Sequence, residues 1–233
     1  MKTKLILFDI DGTLVLTGGA GARGMTRAFE ETWGVSNALA RVDVAGRTDS
    51  IILADALRLT ERDGTPDEIA RFREVYQVYL REELDANGHG RPKGELPGVR
   101  ALLDVLVERP DVSLALLTGN FPEAAEIKLD YFDLWRYFPW GVFGDEAMDR
   151  HDLLPVALRR HRDRAGVSAD IDPADVIIIG DTPHDVSCAQ RGGARAVAVA
   201  TGSFDVTTLG RCQPDVVCAD LADPAPFFAL LER

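Results

Sequence analysis

Two aspartates separated by one residue, in Asp9-Ile10-Asp11-Gly12-Thr13-Leu14, follow directly on the apolar run Leu5-Ile6-Leu7-Phe8. Such a run, ending abruptly at a charge, reads as a central parallel strand emerging at its carboxyl edge, where open α/β sheets bind ligands. Two carboxylates there can divide the work of phosphoryl transfer: one attacks phosphorus, and the other exchanges protons with the leaving and attacking oxygens. Both tasks need a nearby cation, and Mg2+ takes a carboxylate or two together with water and substrate oxygens. A further acid from another strand end is therefore expected. Asp181 supplies it, after Val176-Ile177-Ile178-Ile179-Gly180, with Asp185 about one helical turn beyond. A third run ends in Leu116-Leu117-Thr118-Gly119-Asn120, where a hydroxyl and the open amides of Gly119 and Asn120, leading into a helix, suit a phosphate oxygen.

The elements that must position these groups alternate. Strand-like runs at Val112 to Leu117, Val176 to Ile179, Ala196 to Ala200 and, more weakly, Val216-Val217 are separated by amphipathic stretches at Val99 to Val107, Leu153 to His161 and Val186 to Arg191. This is the rhythm of a parallel sheet, which Leu5 to Phe8 joins. The stretch from Thr17 to Pro92 breaks it, offering helices without a convincing strand. One helix begins at Thr65-Pro66-Asp67-Glu68 with a capping box and continues as an apolar stripe through Ile69, Phe72, Tyr76, Tyr79 and Leu80. Another carries Met25, Ala28, Phe29 and Trp33. Turn-prone sequence flanks the stretch, Thr17-Gly18-Gly19-Ala20-Gly21 before it and Asn87-Gly88-His89-Gly90-Arg91-Pro92 after it, so two flexible linkers and an inserted domain at 17–92 are expected, with 1–16 and 93–233 as the core. An insertion leaving the sheet just after Asp11 would sit over the carboxylates as a lid.

Together the three motifs resemble haloacid dehalogenase superfamily hydrolases of the phosphoglycolate-phosphatase-like branch. The resemblance covers nearly the whole chain and rests on DIDGTL at 9–14, LLTGN at 116–120 and IIGDTPHDV at 178–186, in the family's order. It implies an α/β fold with a Rossmann-like parallel sheet core, helices on both faces and an inserted α-helical cap. It also implies that Asp9 forms an aspartyl-phosphate, that Asp11 acts as general acid and then base, and that Thr118 holds the transferring phosphoryl group. Asp9, the Asp11 backbone carbonyl and Asp181 would hold Mg2+. Asp185 would orient a metal-bound water or support the loop, and Gly12 and Asn120 would contribute backbone amides.

The lysine-proline pair that the family uses to neutralise the phosphate is not present in that form. Arg150, in Gly144-Asp145-Glu146-Ala147-Met148-Asp149-Arg150, is assigned its place, keeping the charge with different geometry. The rival is Lys128, on the helix after Thr118; ten residues of helix rise about 15 Å, which sets it far from the phosphate unless the helix starts late. In the cap, Gly46-Arg47-Thr48-Asp49 resembles a substrate-facing loop. Arg47 would grip a phosphate or carboxylate from above; the alternative is a surface loop in which Thr48 or Asp49 caps an Ile51 to Leu59 helix.

Several function classes are excluded or disfavoured. A formal net charge of −12 with no basic run argues against nucleic acid. The apolar N-terminal run is too short for a signal segment or a membrane span, so a cytoplasmic protein is expected. Three cysteines without CxxC spacing indicate neither a disulfide framework nor a zinc site. Dehalogenation needs no protonating aspartate, and phosphonoacetaldehyde hydrolysis needs a cap lysine, of which there is none between Lys4 and Lys93. The expected function is a Mg2+-dependent phosphatase acting on a small phosphorylated metabolite, phosphoglycolate among the candidates. A sugar-phosphate mutase and a non-catalytic phosphate-binding protein are the alternatives. Oligomeric state is not legible.

Overall fold

The structure is a computed structural model that describes residues 3–86, 88–166 and 171–233. Its main sheet has six parallel strands: β1 (Lys4–Phe8), β4 (Val112–Leu117), β5 (Gly141–Val142), β6 (Val176–Gly180), β7 (Arg195–Val199) and β8 (Val216–Cys218), in the order β5-β4-β1-β6-β7-β8. The chain builds outward from β1 to β4 and β5, then crosses to β6 on the other side. The two neighbours of β1 therefore form a topological switch point, which is where such sheets open a crevice.

Alternation along β1 explains why the sheet is covered on both faces, since successive side chains point to opposite sides. Ile6 and Phe8 pack with α4 (Val99–Val107), α5 (Pro122–Tyr131) and α9 (Ala225–Leu231). Leu5 and Leu7 pack with α6 (Leu153–Ala165), α7 (Pro183–Arg191) and α8 (Val206–Arg211). The aromatic stretch Tyr131 to Trp140 is divided. Phe138 packs edge-on against Phe8 and Tyr137 is buried, whereas Tyr131 is exposed. Among the described residues no helix is long and apolar enough to cross a membrane.

Between β1 and β4 the chain forms β2 (Val15–Thr17), α1 (Ala20–Trp33), α2 (Asp49–Leu59), α3 (Pro66–Asp85) and β3 (Lys93–Glu95). The glycine-rich flanks expected as flexible linkers are more ordered than that. Thr17 ends β2, which pairs antiparallel with β3 in the register Val15↔Glu95, Leu16↔Gly94, Thr17↔Lys93. Gly18 and Gly19 take positive φ values of 65° and 81° to turn the chain into α1, whose first residues are Ala20 and Gly21. Asn87, in the second flank, lies outside the described residues, as do Met1 and Lys2 at the start.

The helices of this segment bury their stripes against one another: Phe29 and Trp33 of α1, Ile52 and Leu53 of α2, Phe72, Tyr76 and Leu80 of α3. Phe121, Ala124 and Ile127 join that cluster, while Ala125 and Leu129 face the sheet. Helix α5 is thus shared by both cores, which matters below because the same helix carries Lys128.

The expected capping box is present at the start of α3. The Thr65 hydroxyl accepts from the Glu68 amide at 3.3 Å, and the Glu68 carboxylate accepts from the Thr65 amide at 3.0 Å. Thr65→Ala removes the hydroxyl half of that exchange and is expected to cost ~1 kcal/mol of stability. Urea unfolding should show a lower midpoint with an unchanged slope; an unmoved midpoint would mean that this helix end is held by other contacts.

Candidate active site

Three adjacent strands deliver the chemistry-bearing residues to one edge. In β1 the last pairings, Phe8↔Leu116 and Phe8↔Ile179, align the strand ends so that Asp9, Thr118 and Asp181 follow one, two and two residues later in their chains. The Asp9 amide still donates to the Ile179 carbonyl at 3.0 Å, which fixes the start of the loop.

Asp9, Asp181 and Asp185 form a buried cluster in which one oxygen from each lies within 4.8 Å of the others. Arg150, also buried, is the guanidinium beside them: it stands 3.2 Å from Asp9 Oδ1 and pairs with Asp185 Oδ1. Its Nε has no hydrogen-bond partner among the described residues. Asp185 is fully engaged, because its other oxygen accepts from the Thr182 amide at 3.0 Å and the Thr182 hydroxyl at 2.7 Å in the capping box of α7. Asp9 and Asp181 are the freer carboxylates. Asp181 is seated between two glycines, Gly12 and Gly202, where a Cβ at either position would overlap its carboxylate; Gly12 also takes φ +80°.

Crowding shows in the acidities. Burial raises the Asp9 carboxyl to about 6, opposed by Arg150 and reinforced by Asp185 and Asp11. Burial, with Asp185 and Asp9 adding to it, raises Asp181 to about 8. One guanidinium does not balance three buried carboxylates. An all-oxygen donor set of this kind, short of positive charge, fits a hard divalent cation such as Mg2+.

The second aspartate faces the other way. Asp11 is about half buried and its Oδ2 accepts from Lys128 Nζ at 2.6 Å and from Asn120 Nδ2 at 2.9 Å. Its side chain is therefore not part of the carboxylate cluster. Lys128 Nζ donates also to Asn120 Oδ1 at 2.6 Å and is almost wholly buried. Lys128 comes within reach because the helix does start late. Helix α5 starts only at Pro122, so Lys128 is six residues inside it, and long helical side chains lean back toward the N-terminus. Both Arg150 and Lys128 thus reach the site, one on Asp9 and one on Asp11.

Thr118 lies one layer behind the cavity. It is fully buried, and its hydroxyl accepts from Asn120 Nδ2 at 2.8 Å, while Gly119 and Asn120 line the cavity itself.

The segment between β2 and β3 closes over these residues. The Asp49 amide donates to the Gly119 carbonyl at 2.6 Å, and its carboxylate accepts from the Phe121 amide at 2.8 Å. A Cβ at Gly119 would overlap the Arg47 carbonyl, and one at Gly46 would stand 3.0 Å from His184 Cδ2. Arg73 of α3 bridges to Glu123 at 2.8 Å and Asp145 at 2.9 Å. The space left is a cavity of about 590 Å3, lined from below by Asp9, Asp11, Lys128, Arg150 and Asp181 and from above by Met25, Arg47, Ile52 and Tyr76. Arg47 borders it, but its guanidinium is turned onto Asp55 at 2.7 Å and the Asp43 carbonyl at 2.9 Å. Thr48 is the N-cap of α2, accepting from the Ile51 amide.

Asp49 and Tyr76 were not singled out as site residues from sequence. Asp49 is buried, its carboxyl raised to about 6 by burial, against Lys128 and the Phe121 amide. The signal for it was an acid directly after an N-cap threonine; Tyr76 looked like any member of an apolar stripe.

The raised acidities of Asp9 and Asp181 carry a sign. Carboxyls whose folded pKa lies above the unfolded one stabilise the metal-free fold below pH 4 and lose that contribution as pH rises through about 6 and about 8. A divalent cation must displace those protons, so Mg2+ is expected to raise Tm more near about pH 8.5 than near about pH 5.5, with EDTA removing the difference. Equal Tm shifts at both pH values would show that Mg2+ does not bind these carboxylates.

Known proteins resemble the chain along its length. It is 28% identical to "Phosphoglycolate phosphatase 1" of Pseudomonas aeruginosa over 235 residues, covering 96% of this chain and 79% of that one. Identity to the phosphoglycolate phosphatase of Agrobacterium fabrum is also 28%, over 99% of this chain and 94% of the relative. Among solved structures, a Haemophilus somnus protein described as a predicted phosphoglycolate phosphatase superposes with TM-score 0.68 at 20% identity, covering 98% of this chain and 99% of its own. A Pseudomonas syringae protein described as a hydrolase superposes at 0.67 with 22% identity, over 98% of each chain. Both structures share the fold. The model of the haloacid dehalogenase-like hydrolases matches residues 3–193, from just before β1 to just before β7. With all three motifs inside that match and gathered on one cavity, the chain belongs to the haloacid dehalogenase-like hydrolase family.

Proposed function

We propose that the protein is a Mg2+-dependent phosphatase that hydrolyses a small phosphorylated metabolite through an aspartyl-phosphate on Asp9, with phosphoglycolate the first candidate substrate. One observation carries this reading. Two carboxylates two residues apart face one cavity, each with its own buried cation: Asp9 with Arg150 and Asp11 with Lys128. Groups held apart in that way suit separate roles. The names of the relatives support the substrate class.

In this mechanism an Asp9 oxygen attacks phosphorus, the ester P–O bond breaks, and Asp11 gives its proton to the departing oxygen. Asp11 then takes a proton from the water that attacks the aspartyl-phosphate, releasing inorganic phosphate and restoring Asp9. Arg150 holds Asp9 in place and offsets charge on the phosphoryl oxygens. The amides of Gly12, Gly119 and Asn120 offer donors to them, and Thr118 steadies Asn120 from behind. Asp9 and Asp181, with the Asp11 backbone carbonyl, would hold Mg2+, while Asp185 fixes Arg150 and the Thr182 turn. When bound, Mg2+ supplies the positive charge that the cluster lacks. Residues 17–92 act as a cap whose docking on Gly119 and Phe121 excludes water from the reacting centre.

p-Nitrophenyl phosphate with Mg2+ is the direct assay. Asp9→Asn is expected to lower kcat by about a thousandfold or more, and Asp11→Asn by about 10²–10⁴-fold on an alkyl ester whose leaving oxygen needs a proton. Unchanged turnover in Asp9→Asn would overturn the mechanism. Phosphate release from a sugar bisphosphate, rather than its isomerisation to another bisphosphate or monophosphate, separates hydrolysis from a mutase reaction.

A further inference from the structure

Two polar groups on the cavity wall, Lys128 below and Tyr76 above, keep hydrogen-bonding capacity that the mechanism above leaves unused. Lys128 Nζ carries three N–H bonds. Asp11 Oδ2 and Asn120 Oδ1 accept two of them, each at 2.6 Å, and no other described residue accepts the third. Tyr76, only 2% exposed, lines the cavity, and its hydroxyl makes no hydrogen bond among the described residues. Both residues line the cavity, where a ligand can accept from these donors.

Both groups converge on one point. A Cβ at Gly21 of α1 would stand 3.1 Å from Lys128 Nζ and 3.5 Å from Tyr76 Oη, so the two groups are neighbours on the cavity wall and a side chain at this position would crowd both. Asp49, the other carboxylate near this point, is engaged by the Phe121 amide. The nearest catalytic group is Asp11, through Lys128.

We infer that Lys128 Nζ and Tyr76 Oη, neighbours beside Gly21 on the cavity wall, form a subsite for a carboxylate on the leaving portion of the substrate. The inference deepens the phosphatase reading and rests on Asp11 being the acid that meets the leaving oxygen. An ammonium and a phenol together suit an anion with two acceptor oxygens. Distance narrows the class. The leaving oxygen lies one hydrogen bond from Asp11 and the carboxylate one hydrogen bond from Lys128, which itself touches Asp11. The two substrate groups are therefore separated by only a few carbon atoms at most, as in the phosphate ester of a short hydroxy acid. Sugar phosphates and nucleotides do not offer a carboxylate there.

The test compares 2-phosphoglycolate with ethyl phosphate, which has the same chain length and no acid group, under Mg2+, alongside p-nitrophenyl phosphate. The native protein should favour 2-phosphoglycolate by about tenfold or more in kcat/KM. In Tyr76→Phe and, separately, Gly21→Ala, that ratio should fall by about threefold or more, mainly through a higher KM for the acid substrate. Equal kcat/KM on the two esters, or a ratio that both variants leave unmoved, would overturn the subsite alone. Absence of turnover on all three compounds would overturn the phosphatase reading and the subsite with it.

Discussion

Three buried carboxylates facing one guanidinium set the terms for everything around them. Desolvated carboxylates are held together only where the surrounding chain over-determines their positions. Here each is fixed by backbone. Asp9 begins at the end of a strand paired on both sides, Asp185 is bound into the first turn of α7, and Asp181 lies in a slot that exists because residues 12 and 202 are glycines. Thr201 closes the slot by donating to the Gly12 carbonyl at 2.5 Å. The excess negative charge that remains suits a hard divalent cation.

The same arrangement explains why the sheet is doubly covered and why an insertion departs where it does. Alternating residues of β1 enter two different cores, so the strand that carries the nucleophile candidate is anchored from both faces. The segment that follows returns through a short antiparallel ladder, which is stiffer than a pair of free linkers and holds the helices over the strand ends. Helix α5 couples the two parts. It starts at the end of the Thr118 loop, buries one face on the sheet and the other under α1 and α3, and carries Lys128 between them. Docking of the segment on Gly119 and Phe121 and the position of that ammonium are consequently one packing problem.

The parallel strands were legible because burial on both faces leaves continuous apolar runs, and each ended in a residue whose polarity made no sense inside a core. Asp9, Thr118 and Asp181 stood out for that reason, and so did the capping box at Thr65. The reach of Lys128 turned on where its helix starts, which spacing left open: the chain turns through Gly119-Asn120-Phe121 before the helix begins. The paired stems β2 and β3 looked like loops, since three-residue strands beside glycines carry too little pattern. That the Arg47 guanidinium turns onto Asp55, and that Thr118 lies behind Asn120, are matters of side-chain direction on which spacing is silent.

The central claim is that Asp9 carries the phosphoryl group during turnover. Quenching a reaction with a phosphate ester in acid, reducing the trapped acyl phosphate with borohydride and sequencing the peptides by mass spectrometry reads this directly. The account predicts homoserine at position 9. Homoserine at another aspartate, or steady phosphate release with position 9 never modified, would contradict it.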